Sequence, residues 1–419
     1  MPSSRKTTNI RSSLKTSTIE GSWWAVMYGS VETYFGAFFE FLKYSSYEIS
    51  ILTTLPIFIG SIFQNYANTF FHLLRSRKIL LVILKIFQNM LIPVIFYFGV
   101  KTDSFYLFLI FLCFYFIIAI SQISPWTSWM GYLVPSRVRG RYFGSRSQVV
   151  RIFMLISSLL AGTILNAYKD SDPMIGFGII FTIGFIANFG SISYLFKQFE
   201  PPYEEIQEVE KSINLNEKKF LNIKKFITYD SLSEFSFNIS GPLMMVFWLR
   251  EQNFNYIELA ILINVSQVLG LFSLRYWGKQ IDRLGTFTTI RWTSFSIAIF
   301  PLFWVLTYFL PTELKLPVSL VIASLASLMF SGRALAMDNR LFEHMRGQNM
   351  IKLSSKRIFY RGIFIFLGGI LGGLLTKHDF QIFSGVISGL TPIHVVFIFS
   401  AIMRMFIWFF YLRSNRRSI

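Results

Sequence analysis

Cysteine is almost missing from this chain: there is a single one, Cys113, inside an apolar run. One cysteine excludes an intrachain disulfide and a cysteine metal cluster. Histidine is also scarce. The 4 present, His72, His344, His378 and His394, are scattered without ligand spacing, so no metal or other cofactor is expected. Charged residues make up only 15%, against about 25% in a soluble domain. That is too little to cover a water-facing surface of this size, so the apolar surface must face lipid. No glycine-rich phosphate loop ending in Lys-Ser or Lys-Thr occurs, which argues against ATP hydrolysis within this chain. The polar, Ser/Thr-rich opening from Met1 to Glu20 lacks an apolar core followed by a small-residue cleavage site. It reads as a cytoplasmic tail and not a signal peptide.

What the chain does have is apolar length. Hydrophobic residues are 53% of it and aromatic ones 18%. A spanning helix needs about 20 mostly apolar residues. Runs of that length predict spans at 23–42, 48–73, 79–99, 104–133, 143–167, 174–196, 227–249, 257–277, 287–310, 317–337, 358–376 and 393–412. The net charge of +18 would suggest nucleic acid in a soluble protein. Here the basic residues alternate by loop. Lys43, Lys101, Lys169, Arg250, Lys315 and Lys377 occur one to a loop on one side, and Lys85, Arg291, Arg333 and Arg404 lie within spans. The remaining Lys and Arg crowd the other side. That bias places both termini in the cytoplasm of an inner membrane, against anionic headgroups, and needs no nucleic acid.

The expectation is an all-α membrane protein of twelve transmembrane helices. Residues 1–22 form a cytoplasmic tail, 23–196 a six-helix bundle, 197–226 a cytoplasmic linker, 227–412 a second six-helix bundle, and 413–419 a short tail. The linker opens with Pro201-Pro202 and acidic residues and closes with Lys218, Lys219, Phe220, Lys224 and Lys225. It reads as a solvated connection, with a lipid-surface helix as the alternative. The halves echo each other faintly. Tyr28-x3-Glu32-x2-Phe35 parallels Tyr229-x4-Glu234-x2-Phe237, and Arg139-Gly140 before Arg151-Ile152-Phe153 parallels Arg346-Gly347 before Arg357-Ile358-Phe359. Six plus six with related halves is a transporter architecture.

Two loop motifs sharpen this. After span 8 come Gly278, Asp282, Arg283 and Gly285 in the stretch GKQIDRLG. Glycines permit a tight reversal, Asp suits the positive end of a helix, and Arg can hold a carboxylate or a lipid phosphate. After span 4, residues 126–146 read WTSWMGYLVPSRVRGRYFGSR, which includes Trp126, Arg139, Gly140, Arg141, Gly144 and Arg146. The first stretch resembles the G-x3-D-R-x-G signature of the major facilitator superfamily, and the second resembles a W-x2-WM-x2-LVP-x3-RGRYFG-x-R stretch in one bacterial branch of it. The resemblance implies two pseudo-symmetric bundles and a secondary active transporter of a small organic solute, working by alternating access as a monomer. A transporter-shaped sensor or assembly protein without flux is the alternative, and an integral-membrane enzyme is a further one. The chain departs from the family after span 2, where Leu73 and Leu74 stand in the places of Asp and Arg. An asymmetric latch follows as an expectation, with Asp282 meeting the start of span 5 near Gly140 to Arg146.

Ionisable residues within spans cost roughly 2.5–3.5 kcal/mol at the bilayer centre, so each needs a reason. The resemblance implies that spans 1, 4, 7 and 10 line a cavity. Glu32, Glu234 and Arg333 are then the leading candidates for binding solute or protons. One carboxylate is expected to pair with Arg333 and the other, Glu32 by preference, to carry a proton. Gly29 and Gly36 would let a helix or ligand approach it. A static ion pair is the alternative. Gln122, Ser124 and Trp126 on span 4, Asn238 on span 7, Asn264 and Gln267 on span 8, and Gln64, Asn65 and Asn68 on span 2 supply further polar groups. Amides bind hydroxyl-rich or zwitterionic solutes, and they also join helices. Pro125 and Gly241-Pro242 are expected to kink spans 4 and 7. Glu40 reads as an entrance charge. Lys85, Arg291 and Arg404 are expected to snorkel to headgroups.

Overall fold

The computed structural model describes residues 2–74, 76–102, 104–134, 139–200, 217–344, 349–377 and 390–413. The acidic half of the linker (201–216), Arg346-Gly347, His378, the side chains of Asn65, Asn68, Ser124, Arg139 and Arg141, and the surroundings of Gly140 lie outside the described residues. The helices are α1 (Pro2–Ser30), α2 (Phe35–Phe41), α3 (Ser46–Leu74), α4 (Arg77–Lys101), α5 (Phe105–Ser121), α6 (Ile123–Leu133), α7 (Arg139–Tyr168) and α8 (Pro173–Phe196). They continue with α9 (Glu217–Ser240), α10 (Met244–Val246), α11 (Tyr256–Leu284), α12 (Thr286–Tyr308), α13 (Thr312–His344), α14 (Asn349–Lys377) and α15 (Pro392–Trp408).

The breaks have local causes. Span 4 divides at Gln122 into α5 and α6. Pro125 explains the position, because its ring clashes with the carbonyl four residues back, at Ser121. Span 7 is broken at Gly241–Leu243, a 3-10 turn that holds Pro242. Span 1 is interrupted by a 3-10 turn at Glu32–Tyr34. It also reaches back to Pro2, so the expected tail is a helical extension of the span. The basic end of the expected linker likewise belongs to α9, where Lys224 and Lys225 are exposed.

Among the described residues, 10 helices are long and apolar enough to cross a membrane on composition alone. Neither α1 nor α9 is one of them, and both open a bundle. Each turns a polar stripe inward at helical spacing: Ser13, Ser17 and Glu20 on α1, and Asp230, Ser233, Ser236 and Ser240 on α9, all buried. Lipid instead meets Phe272, Trp292 and Leu306, which are exposed on other helices. This multi-pass membrane protein is thus apolar outside and partly polar inside.

The chain forms two compact units, Met1–Leu42 with Leu55–Glu210, and Lys43–Thr54 with Lys211–Ile419. In the first, α1 packs on α7 and α8, and α4 packs on α5 and α8. In the second, α9 packs on α14 and α15, and α12 packs on α13 and α15. The first span of each unit therefore meets its fifth and sixth, which is the repeat hinted at by the sequence. The opening turns of α3 belong to the second unit because Thr54 and Ser50 sit against Gly369 and Gly373 of α14.

On the neighbouring face of α14, Gly368 and Gly372 press directly on the carbonyl oxygens of Phe235 and Ile239 of α9. No side chain fits between those backbones. Gly372→Leu is expected to cost about 1–3 kcal/mol through overpacking and to lower the unfolding temperature of the detergent-purified protein. Gly144→Ala, where an added Cβ meets nothing within 4 Å, should not lower it and should raise it slightly, because alanine favours a helix interior by about 0.5–1 kcal/mol over glycine.

Candidate functional site

The first unit holds an open-sided cavity of about 420 Å³, a size suited to a small organic ligand. Its polar end is an ionic cluster. Lys85 Nζ on α4 donates to Glu20 Oε1 on α1 at 2.6 Å, and Arg146 Nη2 on α7 donates to Glu20 Oε2 at 3.4 Å. Ser191 of α8 donates to the same carboxylate at 2.9 Å and also contacts Lys85. The Glu20 side chain is 3% exposed and that of Lys85 7%. Lys85 therefore does not snorkel. It lies about two turns inside α4 and closes on a buried carboxylate, which is a better partner than a distant headgroup.

Arg146, read from the sequence as part of a gate motif, reaches the cavity from the second turn of α7. Its Nε donates to the Ser17 carbonyl at 3.3 Å, and its guanidinium lies 4.6 Å from the Trp126 ring centre. Cation–π contact and ion pairing thus hold it in the cavity wall. Farther along, Gln122 Nε2 donates to Gln88 Oε1 at 2.8 Å. Beyond lies Glu32, whose Oε1 accepts from Tyr115 OH at 2.7 Å. No basic side chain pairs with Glu32 among the described residues. Trp24, Phe116, Ala119 and Ile120 complete an otherwise apolar lining. Gly29 admits a helix and not a ligand: a Cβ there would come within 2.6 Å of the Met154 carbonyl oxygen on α7.

The second unit holds a different network. Arg357 Nε and Arg361 Nη2 of α14 donate at 2.6 Å to Asp230 and Glu234 of α9, respectively. Arg357 also bonds Asp338 at 3.2 Å. Arg333 of α13 approaches Asp230 at 3.9 Å. The expected partnership is corrected here: Glu234 pairs with Arg361, and Arg333 lies closest to Asp230. Arg404 is buried against Phe237 and bonds Ser240 at 3.0 Å, so it does not snorkel either. Arg291 is half-buried. Asn238 and Asn264 donate to the Glu234 and Ala260 carbonyls of their own helices at 2.8 and 2.7 Å. Gln267 is half-buried.

The reversal between α11 and α12 is a single residue, Gly285, at φ 80°. That backbone favours glycine. Asp282 and Arg283 are exposed beside it, and at Gly278 an added Cβ would meet nothing within 4 Å.

Sequence reasoning missed Glu20, Lys85, Gln88, Asp230, Arg357 and Arg361 as interior groups. One signal was available: Asp230/Glu234 and Arg357/Arg361 are acidic and basic pairs with the same four-residue spacing, and so stack on matching helix faces. Removing one partner of a buried pair costs about 3–5 kcal/mol. Lys85→Met is accordingly expected to lower the unfolding temperature sharply. Glu20→Gln with Lys85→Met should lose less than the two single losses together, and a thermal-unfolding double-mutant cycle checks this.

No curated protein matches the chain in sequence. Solved structures do match its fold. A nucleoside transporter, NupG, in mutant form, has a TM-score of 0.69 at 14% identity, covering 97% of this chain and 99% of its own. A D-xylose-proton symporter has a TM-score of 0.70 at 13% identity, over 96% of this chain and 97% of its own. A bacterial homologue of the iron transporter ferroportin has a TM-score of 0.69 at 12% identity, over 94% and 98%. At such identities the likeness concerns the fold. The sequence profile of the Major Facilitator Superfamily matches residues 22–355, which takes in every residue of the first-unit cavity but Glu20 and most of the second unit. The chain therefore belongs to the Major Facilitator Superfamily of membrane transporters.

Proposed function

We propose that the protein is a secondary active transporter that carries a small organic solute by alternating access, coupled to proton movement, with the solute seated in the first-unit cavity. One observation carries this reading. Spans 1 and 4 both break, and the residues at the breaks, Glu32 and Gln122, both line the cavity. Broken helices near the midplane are where transporters bind. Indoles, amides and apolar carbon surround the space. Among the described residues no group of three or more metal-ligating side chains gathers. Both features favour an organic solute over a metal cargo. Glu32 carries the proton: its carboxylate has Tyr115 as a neutral partner, whereas Glu234 is tied to Arg361. The loop charges favour an inner membrane with both termini in the cytoplasm.

The test begins with a thermal-shift screen of sugars, nucleosides, amino acids and aromatic metabolites on the purified protein. The best stabiliser is then followed in proteoliposomes. Gln122→Ala and Trp126→Ala are expected to raise its Kd about tenfold, read as a shift of the stabilisation curve to higher concentration, the loss of one hydrogen bond or stacking contact. Glu32→Gln should abolish accumulation driven by a proton gradient while sparing solute exchange. Undiminished proton-driven accumulation in that variant removes Glu32 from coupling. Stabilisation without any flux makes the protein a sensor.

A further inference from the structure

Among the described residues, the ionisable side chains that line the first-unit cavity are Glu20, Glu32, Lys85 and Arg146. At its polar end the charges do not cancel. Glu20 supplies one negative charge. Lys85 Nζ takes its Oε1 at 2.6 Å, whereas Arg146 Nη2 reaches its Oε2 at only 3.4 Å. One carboxylate thus faces two cations, and the surplus positive charge falls on Arg146, the more distant of them. Glu32 is no counter-charge at contact range. At ~1.5 Å per helical residue it lies about 18 Å from Glu20 along span 1.

The surplus charge is held in a fixed place. The Arg146 guanidinium lies over Gly21 of α1, where a Cβ would stand 2.5 Å from Nη2. On another side the centre of the Trp126 ring is 4.6 Å away. Nε is engaged by the Ser17 carbonyl and Nη2 by Glu20, but Nη1 has no acceptor among the described residues. The side chain is 13% exposed, so a ligand can reach it. Arginine does not shed its proton, so only an anion can neutralise it.

The rest of the wall decides what carries that anion. Trp24, Phe116, Ala119, Ile120 and Ile123 present apolar surface. Apolar carbon gains by covering it, and a bare inorganic ion does not. A neutral sugar or nucleoside would leave the guanidinium charge uncompensated among apolar groups. An α-amino acid would bring an ammonium group beside its carboxylate. The acid at that end, Glu20, already accepts from Lys85, Arg146 and Ser191. A doubly charged phosphate ester exceeds the single charge on offer.

We infer that the solute is an organic monocarboxylate with an aromatic or aliphatic body, its carboxylate on Arg146 Nη1 and its body along α5 and α6. The inference deepens the transport reading and rests on it only in calling the ligand a solute. When Glu32 also holds a proton, the loaded cavity carries no net charge.

The full-length protein in detergent is titrated at neutral pH and constant ionic strength with phenylacetate, phenylacetamide, phenethylamine or acetate. The unfolding temperature is read by tryptophan fluorescence. Phenylacetate is expected to stabilise saturably, with a Kd about tenfold or more below that of phenylacetamide, the advantage of a charged over a neutral hydrogen bond. Phenethylamine lacks the anion and acetate lacks the body, so both should bind more weakly than phenylacetate. Arg146→Gln leaves Glu20 paired with Lys85 and should erase the preference for the acid over its amide. Arg146→Lys, which keeps the charge but lacks the Nη1 donor, should reduce that preference and serves if the first variant fails to fold. The inference is overturned if the amide, the amine or acetate matches phenylacetate, if none of the four stabilises, or if the preference is undiminished in both variants. A neutral solute that binds and is carried would sink the anion assignment and leave the transport reading standing. Phenylacetate that binds at Arg146 without flux in proteoliposomes would do the reverse.

Discussion

Everything in this fold depends on burying a carboxylate on the opening span of each unit. Glu20 and Asp230 are only 3% and 1% exposed, and lipid would be no partner for either, so each is closed by basic groups from other helices. Glu20 takes Lys85 and Arg146, and Asp230 takes Arg357 with Arg333 nearby. In both units one of the bases comes from the fifth span. Such pairs add little net stability, because desolvation consumes most of the attraction. Their effect is to specify. A helix that is half polar can sit only one way round, and its register against α7 or α14 is set by the position of the charge.

The same constraint accounts for the shape of the cavity wall. A serine and carboxylate stripe on α1 draws Lys85 and Arg146 inward, and Arg146 brings Trp126 with it. The backbone breaks at Glu32–Tyr34 and Gln122 then leave room between the helices. The polar contents of the cavity follow from the way the bundle is held together. A solute entering it meets groups already fixed by helix packing, which reduces the ordering cost of binding.

Much of this was legible in the sequence, and for physical reasons. Span length and loop charge are local properties, so the helix count and the two bundles could be read from runs of residues. The break at Gln122 followed from Pro125 for the same reason, since proline acts within one turn. The ion pairs were not legible in that way. Glu20 and Lys85 are 65 residues apart, and Arg361 and Glu234 are 127 apart. Lys85 on its own looks like a residue that snorkels, and Glu20 in a Ser/Thr-rich opening looks like a tail residue. Only their meeting makes either one interior. Glu32 was recognisable because its position in an apolar run already demanded an explanation. Which basic group would ignore it depended on the fold.

The single-residue turn at Gly285 has a mechanical meaning. Helices joined by a long loop can rotate or slide while the loop takes up the slack. Here α11 ends at Leu284 and α12 begins at Thr286, so there is no slack to take up. The two helices form one stiff hairpin, and a displacement imposed on the free end of one must be delivered at the free end of the other.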